Sequence, residues 1–107
     1  RSYYGCASDQ FEDPFLQFVF NSDQSPFWYR GFYRDELAED ELNGILERFS
    51  VRSIITGHTI VPNVTAYYSG KVINVNTDHA NGRSEALLIR KNNYYRVDMR
   101  GKRNRIK

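Results

Sequence analysis

The sequence is poor in cysteine, with Cys6 the single one among 107 residues. One cysteine cannot form an internal disulfide, and it cannot supply the cysteine-rich ligand set of a structural zinc site. No apolar run approaches the roughly 20 residues that a membrane-spanning helix requires, so no membrane partner is expected. No signal peptide is visible, and because the chain begins with Arg1 rather than methionine we expect the natural N-terminus to lie upstream.

Apolar residues and charge are both present in quantity. Hydrophobic residues make up 40% of the chain and aromatic residues 15%, which is enough for the core of one globular domain. Residues 1–50 carry four arginines and ten acids, a balance of −6, whereas residues 51–107 carry eleven basic residues and three acids, a balance of +8. The basic half indicates a surface for nucleic acid or another acidic partner, or a solvated tail.

The periodicity of the chain predicts a helix followed by short strands, an α/β (α+β) fold. A helix over 36–49 carries apolar residues at helical spacing, and Asp35 is its expected N-cap. The apolar run 15–20 is open between helix and strand. Mostly antiparallel strands are expected at 52–56, 64–69, 72–76, 85–91 and 94–99, with hairpin turns between them.

The segment Gly57-His58-Thr59 ends an apolar strand, and glycine lets the chain leave that strand sharply. This places the imidazole of His58 at the carboxyl end of a strand, where α/β proteins commonly bind ligands. A neutral imidazole there suits Zn, Mn or Fe. The alternative is a histidine that hydrogen-bonds a backbone carbonyl.

Two further segments carry candidate functional residues. Arg30 lies in an aromatic loop beside Trp28 and Tyr29, where a guanidinium can bind a phosphate or carboxylate bidentately. The alternative is a surface arginine stacked on Trp28. His79 follows another strand, where it is a candidate ligand, general acid or substrate contact. The alternative for His79 is an ordinary polar turn.

These segments in this order resemble one family over roughly residues 21–100. They are SPFWYRG (25–31), the acidic helix, SIITGHT (53–59), GKVINVNT (70–77) and EALLI (85–89). They resemble the C-terminal half of calcineurin-like metallophosphoesterases, and more narrowly the Shewanella-like branch of the phosphoprotein-phosphatase group. Ile60 stands where many metallophosphoesterases have a second histidine, a departure that this narrower branch shares.

The resemblance implies one flank of an α/β/β/α sandwich and a centre of two divalent metal ions, Mn, Fe or Zn. The metals would activate water to hydrolyse a phosphate ester or a phosphoprotein. His58 would ligate one metal, Arg30 would bind the phosphate, and His79 would face the active site. Trp28 and Tyr29 would line the cleft and contact the substrate.

The other metal-ligand motifs of that family, Asp-x-His, Gly-Asp-x-x-Asp and Gly-Asn-His-Glu, do not occur in this sequence. We therefore expect residues 1–107 to form a single partial domain, inactive alone, whose partner is the N-terminal remainder of a longer enzyme. Nucleic acid is not expected as its partner. The alternative is a binding module whose exposed aromatics and basic tail contact nucleic acid or protein without catalysis. A structural subunit with no site of its own is also open.

Overall fold

A computed structural model describes residues 12–25, 27–34 and 37–107. The chain forms two compact units, Arg1–Leu37 and Ala38–Lys107, and each is described by itself. Three residues named above, Arg1, Cys6 and Asp35, lie outside the described residues. No helix in the described ranges is both long enough and apolar enough to cross a bilayer.

The first unit contains helix α1, Pro14–Asn21. The Asp13 carboxylate accepts a hydrogen bond from the backbone N–H of Phe15 at 2.8 Å, and Pro14 occupies the first turn, where its missing N–H has no cost. The apolar run that was open between helix and strand is therefore a helix. A loop follows α1 and ends in a short 3₁₀ turn, Gly31–Tyr33.

Helix α2, Glu39–Arg48, opens the second unit. It confirms the predicted helix, but it begins three residues later than expected because Ala38 takes the N-cap position. The backbone N–H of Ala38 donates to the carboxylate of Glu41 at 3.3 Å, which satisfies one of the donors at the helix start. Leu42 and Leu46 are buried, so the predicted stripe is only partly covered.

Six strands follow α2 in the described part of the second unit. Their bounds are β1, Ile54–Thr56; β2, Thr65–Tyr67; β3, Val72–Asn74; β4, Glu85–Arg90; β5, Asn93–Asp98; and β6, Arg103–Arg105. They form two three-stranded sheets, ordered β1-β3-β2 and β4-β5-β6. The expectation of mostly antiparallel strands holds for these sheets, except that β1 pairs with β3 in parallel, Ile54 opposite Val72.

The first turn of the second sheet departs from its expected position, and the second turn was not predicted. Lys91 and Asn92 both have positive φ and join β4 to β5 as a two-residue hairpin, one residue earlier than predicted. Asp98 then accepts hydrogen bonds from the backbone N–H groups of Arg100 and Lys102, each at 2.9 Å. That turn, with Gly101 at φ +79°, reverses the basic tail, which pairs with β5 as β6 while its arginines stay exposed.

The core of the second unit includes a cluster drawn from both sheets. Val64, Ile73 and Tyr94 are buried together, with Leu87 and Ile106 packed at their margin. Strand β3 is buried along its whole length; the segment at 76–79 follows it, and the segment at 57–59 follows its parallel partner β1.

Candidate functional site

The loop that carries Arg30 is held by a buried serine. Ser25 has no exposed surface, and its Oγ accepts hydrogen bonds from the backbone N–H groups of Phe27 and Trp28, each at 3.2 Å. Its carbonyl accepts two more, from Trp28 at 3.1 Å and Tyr29 at 2.9 Å. The loop is thus a series of serine-anchored turns, which fixes the chain immediately before Arg30.

Aromatic rings enclose the same loop. The Phe27 ring stacks on Phe20 with centroids 5.6 Å apart, and Trp28 Nε1 donates to the Phe20 carbonyl at 2.7 Å. The phenol of Tyr29 lies so close to Gly31 that a β-carbon at that position would overlap its hydroxyl end. Any other residue beside Arg30 would therefore require the Tyr29 side chain to move.

Arg30 is half-buried and faces a cavity of about 340 Å³. Its Nη1 donates to the carbonyl of Tyr29 at 3.3 Å, which orients the guanidinium on the loop. The cavity also contains Arg34 and one acid, Asp23. Two guanidiniums in one concave site provide paired N–H donors of the geometry that phosphate and carboxylate groups accept.

In the second unit, candidate residues follow the ends of β1 and β3. These two strands are paired in parallel, so the segments after them leave the sheet at the same edge. His58 follows β1 with an exposed side chain and a φ of +65°, a left-handed conformation that costs a non-glycine residue roughly 1–2 kcal/mol. The hydroxyl Oγ1 of Thr59 is buried and has no hydrogen-bond partner among the described residues. Strain and an unsatisfied buried hydroxyl at one strand end are typical of functional sites.

Asn74 joins the two segments at this edge, and sequence reasoning missed it. It has no exposed surface; its Nδ2 donates to the Thr59 carbonyl at 2.9 Å, and its Oδ1 accepts from the Asn76 N–H at 2.9 Å. One buried amide therefore positions both the segment that carries His58 and the segment that leads to His79. The signal in the sequence was an asparagine between Ile73 and Val75, in an otherwise apolar run.

His79 begins a 3₁₀ turn, His79–Asn81, two residues after the buried Thr77. Its Nδ1 lies 2.8 Å from Ser84 Oγ, and its Nε2 lies 3.5 Å from Thr77 Oγ1. Thr77 Oγ1 also accepts the backbone N–H of Glu85 at 3.1 Å. Hydroxyl groups on both sides of the ring orient the imidazole, a more defined arrangement than an unconstrained polar turn.

The structure brings two of the predicted site residues, His58 and His79, to the same sheet edge. Arg30, Trp28 and Tyr29 line a cavity within the first unit. Among residues 12–25, 27–34 and 37–107, no group of three or more histidine, cysteine or acidic side chains is arranged to hold a metal ion.

Comparison with solved structures identifies what the chain is similar to. No protein-family model matches it, and no curated protein matches it. Its coordinates match the crystal structure of a cold-active protein-tyrosine phosphatase from a psychrophilic Shewanella species, with a TM-score of 0.80 and 35% sequence identity over 89% of this chain. A point mutant described as a cold-active protein tyrosine phosphatase gives the same values. Another structure of a cold-active protein tyrosine phosphatase gives a TM-score of 0.79, 36% identity and 87% coverage.

The comparison corrects the family inferred from the sequence. The solved structures are named as protein tyrosine phosphatases, and their names mention neither a calcineurin-like metallophosphoesterase nor a metal ion. We therefore withdraw the calcineurin-like assignment, the fold as a flank of that sandwich, and the two Mn, Fe or Zn ions. The metal-ligand role given to His58 is withdrawn together with the ions. What stands is a mixed domain whose described part has two α-helices and two three-stranded sheets.

The length of the match limits which properties of the solved structures can be assigned to this chain. The chain spans less than a third of the length of the solved structures it matches, 29% of the Shewanella protein. Over most of its own length, however, it shares both backbone course and a third of its residues with that phosphatase. The chain is thus similar to one part of a cold-active protein-tyrosine phosphatase.

Proposed function

We propose that this chain forms part of a phosphatase, and that tyrosine-phosphorylated protein is among its substrates. The observation that carries the proposal is the likeness to the Shewanella protein-tyrosine phosphatase, 35% identical over 89% of this chain. The reaction is hydrolysis of a phosphate monoester: water adds to phosphorus, the phosphorus–oxygen ester bond breaks, and phenol and inorganic phosphate are released. The comparison gives no support to the alternative of a binding module without catalysis.

In this proposal Arg30 binds the phosphate group. It is half-buried at the cavity it shares with Arg34, and its guanidinium is already oriented by the Tyr29 carbonyl. Two N–H groups of one guanidinium match two phosphate oxygens, and such charge-assisted bonds strengthen as negative charge develops during transfer. The aromatic residues beside it, Trp28 and Tyr29, would contact the ring of a phosphotyrosine.

In the second unit, taken by itself, His79 is a proposed general acid. The hydrogen bond between its ring and Ser84 Oγ at 2.8 Å holds the imidazole in one orientation, as a general acid requires. His58 lies at the same sheet edge, with an exposed side chain on a strained backbone, and we assign it a polar contact with the substrate.

The proposal is tested by phosphate release from a tyrosine-phosphorylated peptide, measured on the full-length protein and on Arg30→Lys. Lysine keeps the charge but loses the bidentate geometry, so we expect kcat/KM to fall about 10- to 100-fold. Arg48→Lys, on the exposed last turn of α2, is the matched control and should retain full activity. Failure of the unaltered protein to release phosphate, or full activity in Arg30→Lys, would overturn the proposal.

A further inference from the structure

The second unit contains a cavity that the proposed function does not use. It has a volume of about 480 Å³ and lies between the loop 82–85 and the turn 98–100. Pro62 and Asn63 complete its wall. The site is separate from the Arg30 cavity, whose lining residues all belong to the first unit.

Two arginines line this cavity, together with two carboxylates. Arg83 and Arg100 are exposed, and within the described part of the chain neither guanidinium makes a salt bridge or a side-chain hydrogen bond. The carboxylates in the lining belong to Glu85 and Asp98, which face each other across β4 and β5. Each is engaged by the backbone, Glu85 by the Val64 N–H at 2.8 Å and Asp98 by two turn N–H groups.

The cavity lies in the basic half of the sequence. Residues 51–107 contain eleven basic residues and three acids. The third acid, Asp78, is also engaged, because both of its carboxylate oxygens accept from Asn81 Nδ2 at 2.9 Å. The two arginines and the two carboxylates of the lining balance in charge, so the exposed guanidiniums would act by pairing directly with an incoming anion rather than through a net positive lining.

The lining favours carboxylates over nucleic acid. No aromatic side chain lines the cavity, and its large apolar residue, Met99, is 73% exposed. Single-stranded nucleic acid is bound by stacking of bases on aromatic rings as well as by charge, and that component is missing here. Acidic side chains need only the paired guanidinium donors, which are present.

The cavity is also linked to the proposed catalytic residues. Ser84, which follows Arg83 directly and lines the cavity, lies 2.8 Å from the ring of His79 through its Oγ. We infer that Arg83 and Arg100 bind acidic side chains of the peptide substrate, close to the residue proposed as general acid. The inference rests on the proposed function only in treating the bound peptide as a substrate. Binding of an acidic peptide can be measured without catalysis.

The test measures binding of a fluorescent glutamate-rich peptide that contains an unphosphorylated tyrosine. The matched peptide has glutamine at every glutamate position. We expect the full-length protein to bind the acidic peptide at least about tenfold more tightly than its neutral analogue. The double variant Arg83→Gln/Arg100→Gln should lose this preference, whereas Arg52→Gln/Arg90→Gln, which removes two exposed charges outside the cavity, should keep it.

Three results would overturn the inference. Equal binding of the two peptides shows that the cavity does not recognise carboxylates. An equal loss in the control variant shows that the general positive field, not this cavity, is responsible. Tighter binding of a single-stranded oligonucleotide, lost in the same double variant, assigns the cavity to nucleic acid. If the protein binds the acidic peptide as expected but releases no phosphate, the proposed function fails while the acidic-peptide site stands.

Discussion

The loop that carries Arg30 and the sheet edge that carries His58 and His79 position their side chains by opposite means. The loop uses local hydrogen bonds, chiefly those of Ser25, together with contacts between aromatic rings. The edge uses long-range pairing of β1 with β3 and one buried amide, Asn74. A loop built from local bonds can be altered one residue at a time, whereas a change at the edge disturbs two segments together.

The largest effect is expected for Asn74→Ala. The substitution leaves the Thr59 carbonyl and the Asn76 N–H without their partner in a fully buried site, so the free energy of unfolding should fall by about 3 kcal/mol. Urea unfolding followed by far-UV circular dichroism measures this free energy. The half-buried Asn104 on β6 is the control, and Asn104→Ala should cost less than about 1 kcal/mol. Equal costs would show that Asn74 does not join the two segments.

Gly31→Ala should have the next largest effect. The added methyl group must displace the Tyr29 ring, and such overpacking costs about 2 kcal/mol. Trp28 is the single tryptophan, so its fluorescence during unfolding reports on this loop. Gly44→Ala is the matched control: it lies in α2 with open space around the new carbon, and it should stabilise the helix by up to ~1 kcal/mol. If Gly31→Ala left the stability unchanged, the close approach of Tyr29 to this position would be contradicted.

Ser25→Ala removes the hydroxyl that accepts two backbone N–H groups, and we expect a loss of about 1.5 kcal/mol in the same Trp28 fluorescence assay. Ser22→Ala removes one bond, to the Gln24 N–H at 3.1 Å, in a more exposed position and should cost about 0.5 kcal/mol. The ratio of these two costs measures how much of the loop depends on Ser25. A larger loss for Ser22→Ala would refute that role.

The smallest effect concerns the backbone at His58. Glycine adopts positive φ without strain, so His58→Gly should be more stable than His58→Ala by about 1 kcal/mol. If the imidazole contacts substrate, both variants should lose activity to the same extent. The comparison of thermal midpoints and kcat/KM for the two variants separates the strain from the chemistry. Equal stability of the two would mean that the conformation at His58 is not strained.

The elements that sequence alone predicted are those with a local signal. The spacing of Leu42 and Leu46 predicted α2, and β-rich runs bounded by turn residues predicted β1 through β5. Helix α1 was ambiguous because six apolar residues fit either structure, although the Asp13-Pro14 pair before them is a helix-start signal. Strand β6 was read as a tail because Arg103 and Arg105 have no strand propensity, and it forms only because β5 provides a partner.

The candidate site was predictable in part for the same reason. The expected position of His58, directly after a strand, is confirmed by the end of β1 at Thr56, but its parallel partner β3 is a long-range pairing with no local signature. Asn74 escaped notice because its role depends on the fold around it. The family was misassigned because short motifs fix residue types at only a few positions of the chain.

The most direct test of the central claim is the affinity of the full-length protein for inorganic phosphate, the proposed product, measured by isothermal titration calorimetry. The account predicts binding that weakens at least about tenfold in Arg30→Lys and is unchanged in Arg48→Lys. Phosphate binding that is absent from the unaltered protein, or that Arg30→Lys leaves intact, would contradict the assignment of Arg30 as the residue that holds the phosphate.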